Sequence, residues 1–383
     1  MKINHTQQVK DEIDKAAYER AMSDEENYLL SSLIRKRGAV VDFADCTSFH
    51  EAPFDRCLDD TSKRRMFASI MAMGTARKLT HFSAPAVAAN IDLVLNYYQN
   101  MKEFTRADEE EDPYMKEISL PLSNCGRLHF SHAQFRKGEL FLYGEPKENG
   151  YGDLPRLGYF SEDINVPMLT LEDKGYVILN PNFFLTQQKH LPVASGHVLV
   201  LGGEAGYFLY MAQRKDSVSK VTLVENNPDT LAFIRTCVLP ICSDKVEIIE
   251  ADPLYFLEDH HEAWNMIYGN CWRNSVEGTG MYLHLKQFEK QFRKTKFSYW
   301  LEDSILANIK SSILVDLMAE TAEKKEEVLS ILAEDQEGKK LHDQLSAYLT
   351  MEIISRKSVQ SLFLNRSFLA KCWRCTLERT ALL

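Results

Sequence analysis

The chain changes its hydrophobic rhythm three times. Up to about residue 105 the apolar positions recur at helical spacing: Ile13, Ala17, Ala21, Leu29, Leu30, Leu33 and Ile34 form apolar faces, while Glu12, Lys15, Glu19 and Arg20 mark a polar one. Further helices are expected near 63–79 and over 85–98. The acidic run 108–112, closed by Pro113, reads as a solvated linker. From about 115 to 185 short apolar stretches (118–120, 127–130, 139–143 and 175–179) are separated by Gly, Pro and Asn, which predicts a small antiparallel β region. After Glu302 the helical spacing returns in Ile305, Ile309, Ile313 and Leu317, then through 328–349, with a strand expected near 361–364.

A third rhythm lies between. His197 to Leu201 is an unbroken apolar run, and such runs read as parallel strands buried on both faces. It stops at Gly202 and Gly203 and is followed by a helical run from Tyr207 to Gln213. Four more strands are expected at 220–225, 246–252, 264–270 and 296–302, with helices between them. The second and third end in acids, Glu225 and Asp252. Alternation of this kind predicts an α/β fold with a Rossmann-like doubly wound sheet, an N-terminal helical region and a small antiparallel β region. The expected division is 1–112 helical, 113–190 β-rich, 191–302 nucleotide-binding and 303–383 helical.

A glycine turn between buried strand and helix lets a ligand approach bare backbone at a helix N-terminus. An acid at the tip of the next strand, roughly twenty residues on, accepts hydrogen bonds from ribose hydroxyls. On these motifs (199–206, Val224-Glu225 and 250–252) the chain resembles the class I S-adenosylmethionine-dependent methyltransferases and the related spermidine-synthase-like transferases. The resemblance covers roughly 190–302, about a third of the chain, and 206–212 and 297–302 look like a bacterial subgroup whose substrates are poorly defined. It implies S-adenosylmethionine as cofactor, held by Gly202, Gly203, Glu204, Gly206, Glu225, Asn226 and Asp252. It also implies methyl transfer to a small-molecule or peptide acceptor. The β region before the glycine turn then resembles the N-terminal β module of the spermidine-synthase-like proteins, which helps wall the substrate pocket.

Two positions depart from the family. Glu204 stands where the middle glycine of Gly-x-Gly-x-Gly is expected, and must turn away or occupy part of the methionine site. A carboxylate there also attracts an ammonium or sulfonium, by roughly 1–4 kcal/mol at surface-like dielectric. Asn270 stands where many relatives carry an acid; an amide orients an amine or hydroxyl but cannot be a general base. The remaining candidates at this edge are Glu302 as a catalytic acid or base beside Asn270, and Trp272, Tyr282, Asn180 and Asn182 as substrate contacts. Trp272 reads either as a cover over substrate or as a packed aromatic on the sheet edge. Asp252, before Pro253, also fits a helix cap. Two alternatives stay open: a methyltransferase fold kept as a non-catalytic binding or assembly subunit, and a spermidine-synthase-like aminopropyltransferase. Arg273 is unfavourable beside a polyamine and weighs against the second.

Composition narrows the class further. In 383 residues, a net charge of -10 and a pI near 5.6 oppose non-specific nucleic-acid binding, which needs a basic surface. No charged leader precedes an apolar stretch and no run nears the length of a membrane span, so a cytoplasmic protein is expected, off the membrane. Helical flanks are compatible with a homodimer. The eight cysteines form no framework; Cys372 and Cys375 end a helical pattern and His260-His261 sit in a polar loop, so no metal site is expected.

Overall fold

The computed structural model describes residues 2–35, 101–120, 124, 126–171, 174–321, 339, 352–353 and 355–364. The helices expected near 63–79 and 85–98, the apolar repeat 328–349 (Lys339, in a helix, excepted) and Cys372–Cys375 lie outside the described residues.

At the centre are five strands: β1 (Gly196–Leu201), β2 (Val218–Glu225), β3 (Val246–Glu250), β4 (Met266–Gly269) and β5 (Lys296–Tyr299). They pair in the order β3-β2-β1-β4-β5, all parallel. Val198 through Leu201 are almost wholly buried, as are Val221, Leu223 and Val224. Covered faces explain why these strands read as unbroken apolar runs. All five strands expected in this sheet are present, and three stop short of their expected ends. Asp252 leaves β3 to cap the Pro253–Asp259 helix, accepting from the amides of Leu254 and Tyr255 at 2.9 and 3.1 Å. Leu301 takes φ 54, which breaks extended geometry before the Glu302–Thr321 helix. The strand order reverses between β1 and β4. In open parallel sheets a ligand crevice forms at that point, outside the C-terminal ends of the strands.

The β region is richer than its pattern suggested. Leu128–Phe135 pairs antiparallel with Ile164–Leu171, which pairs antiparallel with Lys174–Ile178. Leu157–Phe160 joins Leu140–Leu142 antiparallel and Lys102–Phe104 parallel. Residues 118–120, expected as a strand, form none; they follow the short Pro113–Glu117 helix. Ile164–Leu171 escaped detection because Pro167 interrupts it, yet Pro167 still pairs opposite His132 and its carbonyl accepts from Leu179.

The helical flanks come together. Gln7–Arg35 packs on the Gly152–Leu154 strand and on the Glu302–Thr321 and Arg356–Leu364 helices, and Lys2–Ile3 pairs with Glu352–Ile353. Residues 361–364 are helical, not a strand, with Val359, Leu362 and Phe363 buried. Part of the polar face of the first helix is internal. Glu12 is buried and meets the Tyr151 hydroxyl, and Arg20 pairs with the buried Asp153. Losing one partner of such a buried pair costs about 3–5 kcal/mol. No described helix is long and apolar enough to cross a membrane.

Candidate functional site at the sheet switch point

After β1 the backbone turns against the end of β4. Gly202 N–H donates to Val224 O at 2.9 Å, and Asn270 N–H donates to Leu201 O at 2.7 Å. Gly202 has φ 90, and a Cβ there would stand 2.1 Å from Asn270 O. Only glycine fits. Gly203 is enclosed less rigidly, with a Cβ falling 2.4 Å from Ile234 Cδ1, the end of a side chain that can shift. Gly206, φ 73, is the residue from which the Tyr207–Gln213 helix starts.

Glu225, at the tip of β2, is buried and has three backbone donors. Its Oε2 accepts from Gly203 N at 2.7 Å, and its Oε1 accepts from Asn226 and Asn227 N at 2.8 and 2.7 Å. The glycine loop and the acid of the second strand are therefore hydrogen-bonded to each other. Asn226 is exposed and donates to Asp252 Oδ2 at 3.3 Å, which joins the tips of β2 and β3. The cap expected of Asp252 is present.

Glu204 does not turn out to water. Its backbone is left-handed, φ 45, and its Oε2 accepts from Gln187 Nε2 at 3.2 Å and Asn270 Nδ2 at 3.1 Å. Burial pushes its carboxyl up from 4.5 to about 7; the Asn270 hydrogen bond, which favours the anion, offsets only part of this. Asn270 is itself buried, and its Oδ1 has no hydrogen-bond partner among the described residues. The same holds for the hydroxyl of Tyr268, fully buried and stacked on Phe208 at 3.8 Å.

The other candidates are partly elsewhere. Glu302 opens its helix, half-buried, and accepts from the Tyr282 hydroxyl at 2.9 Å. Tyr282 is buried and edge-on to Tyr299. Trp272 is no cover. It is buried beneath Gly278, where an added Cβ would stand 2.5 Å from the indole, and its N–H donates to Trp300 O at 3.2 Å. Asn180 caps the Pro181–Gln188 helix through Phe183 N at 3.1 Å, and Asn182 follows within it. His260 stacks on Phe256 at 4.0 Å, and among the described residues no cluster of His, Cys, Asp and Glu suits a metal.

Sequence reasoning missed Gln187 and the segment around Asp112. The acidic run is not a plain linker: Arg106–Glu110 is helical and Asp112 is buried at the cap of Pro113–Glu117. Asp112 Oδ2 accepts from the Tyr207 hydroxyl at 2.8 Å and from Gln188 at 3.3 Å, and the Tyr114 hydroxyl donates to Ala205 O. This docks the segment on the helix after the glycine loop. An acid directly before proline is the cap signal that marked it.

Geometry thus defines a Rossmann-like α/β fold with a glycine loop and acids at its switch point. No protein-family model matches the chain, and no curated protein does. Among solved structures it is similar to a spermidine synthase from Thermotoga maritima, at 13% identity and TM-score 0.28 over 54% of this chain and 75% of that one. It is also similar to the S-adenosylhomocysteine-bound Podospora anserina methyltransferase PaMTH1, at 14% identity and TM-score 0.27 over 42% and 65%. A third is a Bacillus cereus O-methyltransferase in complex with S-adenosylhomocysteine, at 12% identity and TM-score 0.24 over 42% and 67%. None of these likenesses carries a functional reading, which rests on the chain's own site.

Proposed function

We propose that the chain binds S-adenosylmethionine at the switch point and passes its methyl group to a small-molecule or peptide acceptor. Glu225 carries this reading. An ionised carboxylate has about four acceptor positions. Backbone amides take three of those on Glu225, which leaves one on Oε2 for a ribose hydroxyl beside the bare Gly202–Gly203 backbone. The residues fit the ligand elsewhere as well. Asp252 Oδ2 and the exposed Asn226 stand at the tips of β2 and β3 for the adenine edge, Gly206 opens the helix, and Glu204 offers negative charge to a cationic arm.

When bound, the cofactor supplies a methyl group already activated on a sulfonium. What the chain must add is orientation, worth several kcal/mol when reacting atoms are held near 3–3.5 Å. Asn270 and the Glu302–Tyr282 pair are the orienting groups we assign to the acceptor side, with Asn182. Trp272 and Asn180 are committed to packing and capping.

One observation favours a second reading. Glu204 occupies the middle-glycine position and β4 ends in an amide, which suits a subunit that keeps the fold without the transfer. Arg273, paired with Glu277 just after β4, continues to weigh against aminopropyl transfer. Calorimetry with S-adenosylmethionine, S-adenosylhomocysteine and decarboxylated S-adenosylmethionine separates the three. Binding of the first two supports the methyltransferase, preference for the third supports the aminopropyltransferase, and no binding leaves the subunit.

A further inference from the structure

Glu204 is expensive to keep. Its left-handed backbone costs a non-glycine residue energy, and its carboxylate is half-buried with no ion pair among the described residues. Both of its hydrogen bonds, from Gln187 and Asn270, fall on Oε2, and Oε1 accepts none from a described residue. Beside it the buried Asn270 Oδ1 is a second acceptor without a donor among the described residues. Two open acceptors at one place, one of them anionic, call for a group rich in N–H. Hydroxyls bring a single donor, and anions are repelled.

Resting on the methyltransferase reading, we propose that the acceptor is a primary or secondary amine, bound as its ammonium, with Asn270 Oδ1 orienting one N–H and Glu204 Oε1 taking the proton of another. In that step an N–H bond breaks, its electron pair stays on nitrogen as the nucleophilic lone pair, and an O–H bond forms on Glu204. The half-buried carboxyl then returns the proton to solvent. A carboxyl raised to about 7 is matched to this work near neutrality, as a general base needs to be. Glu204 supplies from the glycine loop the base that Asn270 cannot supply from β4. Among the described residues the titratable groups that interact electrostatically with Glu204 are Tyr268 and Tyr114, both kept neutral by burial that pushes their phenols up, so neither competes for the proton.

The test is titration of n-butylamine into the whole 383-residue chain, free and saturated with S-adenosylhomocysteine, at pH 6 and pH 8. The amine stays protonated at both, while the ionised fraction of Glu204 rises about tenfold. Binding should therefore tighten about tenfold at pH 8, and E204Q, with no pH dependence, should match wild type at pH 6 and bind about tenfold more weakly than it at pH 8. Equal affinity in E204Q and wild type at pH 8 overturns the proposal, and if E204Q does not fold, equal wild-type affinity at the two pH values overturns it too. Methylthioadenosine and S-adenosylhomocysteine are titrated alongside. If E204Q weakens only the second, whose arm carries its own ammonium, Glu204 serves the cofactor and the acceptor assignment falls. Amine binding without any adenosyl binding keeps the amine site and removes the methyltransferase reading.

Discussion

Replacing Glu204 by glutamine should change how stability depends on pH. The carboxyl titrates near 4.5 when unfolded and near 7 when folded, because burial disfavours its charge. The native state therefore holds a proton that the unfolded chain releases, and only between those two values. Stability contributed by this group is full below pH 4.5, falls as pH rises towards 7, and is constant above. The linkage ceiling for that displacement is about 3 kcal/mol. The side chain keeps some contact with solvent, so screening reduces the expected loss to about 1–2 kcal/mol. Glutamine has the same shape, and its oxygen can still accept from Gln187 and Asn270. Urea unfolding of both proteins at pH 5, 6, 7 and 8 measures the difference between them. E204Q should gain on wild type steadily from pH 5 to 7 and hold a gain of about 1–2 kcal/mol at pH 8. A difference that stays flat over this range refutes the argument that burial holds the proton.

E204G should raise stability by about 1 kcal/mol at pH 5, because glycine accepts the left-handed backbone freely, and by about 1–2 kcal/mol more at pH 8, where wild type carries the buried charge; chemical denaturation checks it. Gly202→Ala drives a Cβ against Asn270 O at positive φ and should cost several kcal/mol, seen as a collapse in soluble, cooperatively melting protein. Trp272→Ala empties a packed position and should lower stability by about 3–5 kcal/mol while leaving S-adenosylhomocysteine affinity in the folded fraction unchanged. Glu225→Gln puts an amide N–H against backbone N–H donors and should weaken S-adenosylhomocysteine binding at least about tenfold by calorimetry, with stability reduced by about 1–3 kcal/mol.

The sheet was legible because buried parallel strands must be apolar on both faces, and glycine turns must follow where backbone meets backbone. Gly202 is such a case: its neighbour is Asn270 O, not a side chain, so the demand shows in the sequence itself. The Ile164–Leu171 strand was hidden by Pro167, which tertiary pairing tolerates. Glu12 and Arg20 read as solvent-facing because helical spacing reports polarity, and the buried partners Tyr151 and Asp153 lie more than a hundred residues away. At the site, spacing placed Glu225 and Asp252 at strand tips. It could not show that Glu225 is tied to Gly203, or that Gln187 reaches Glu204, since both depend on how separate elements dock. Trp272 was left open in the sequence between a cover and a packed aromatic, and its burial in the core agrees with the second.

The central claim is that the bare turn after β1 and the carboxylate of Glu225 together hold an adenosyl ligand. A crystal of the whole 383-residue chain grown with S-adenosylhomocysteine tests it most directly. The account expects the ribose within hydrogen-bond distance of Glu225 Oε2 and the nucleoside against Gly202–Gly203. Saturating ligand with an empty switch point, Glu225 bonded only to backbone amides and Glu204 still filling the crevice between Gln187 and Asn270, would contradict it.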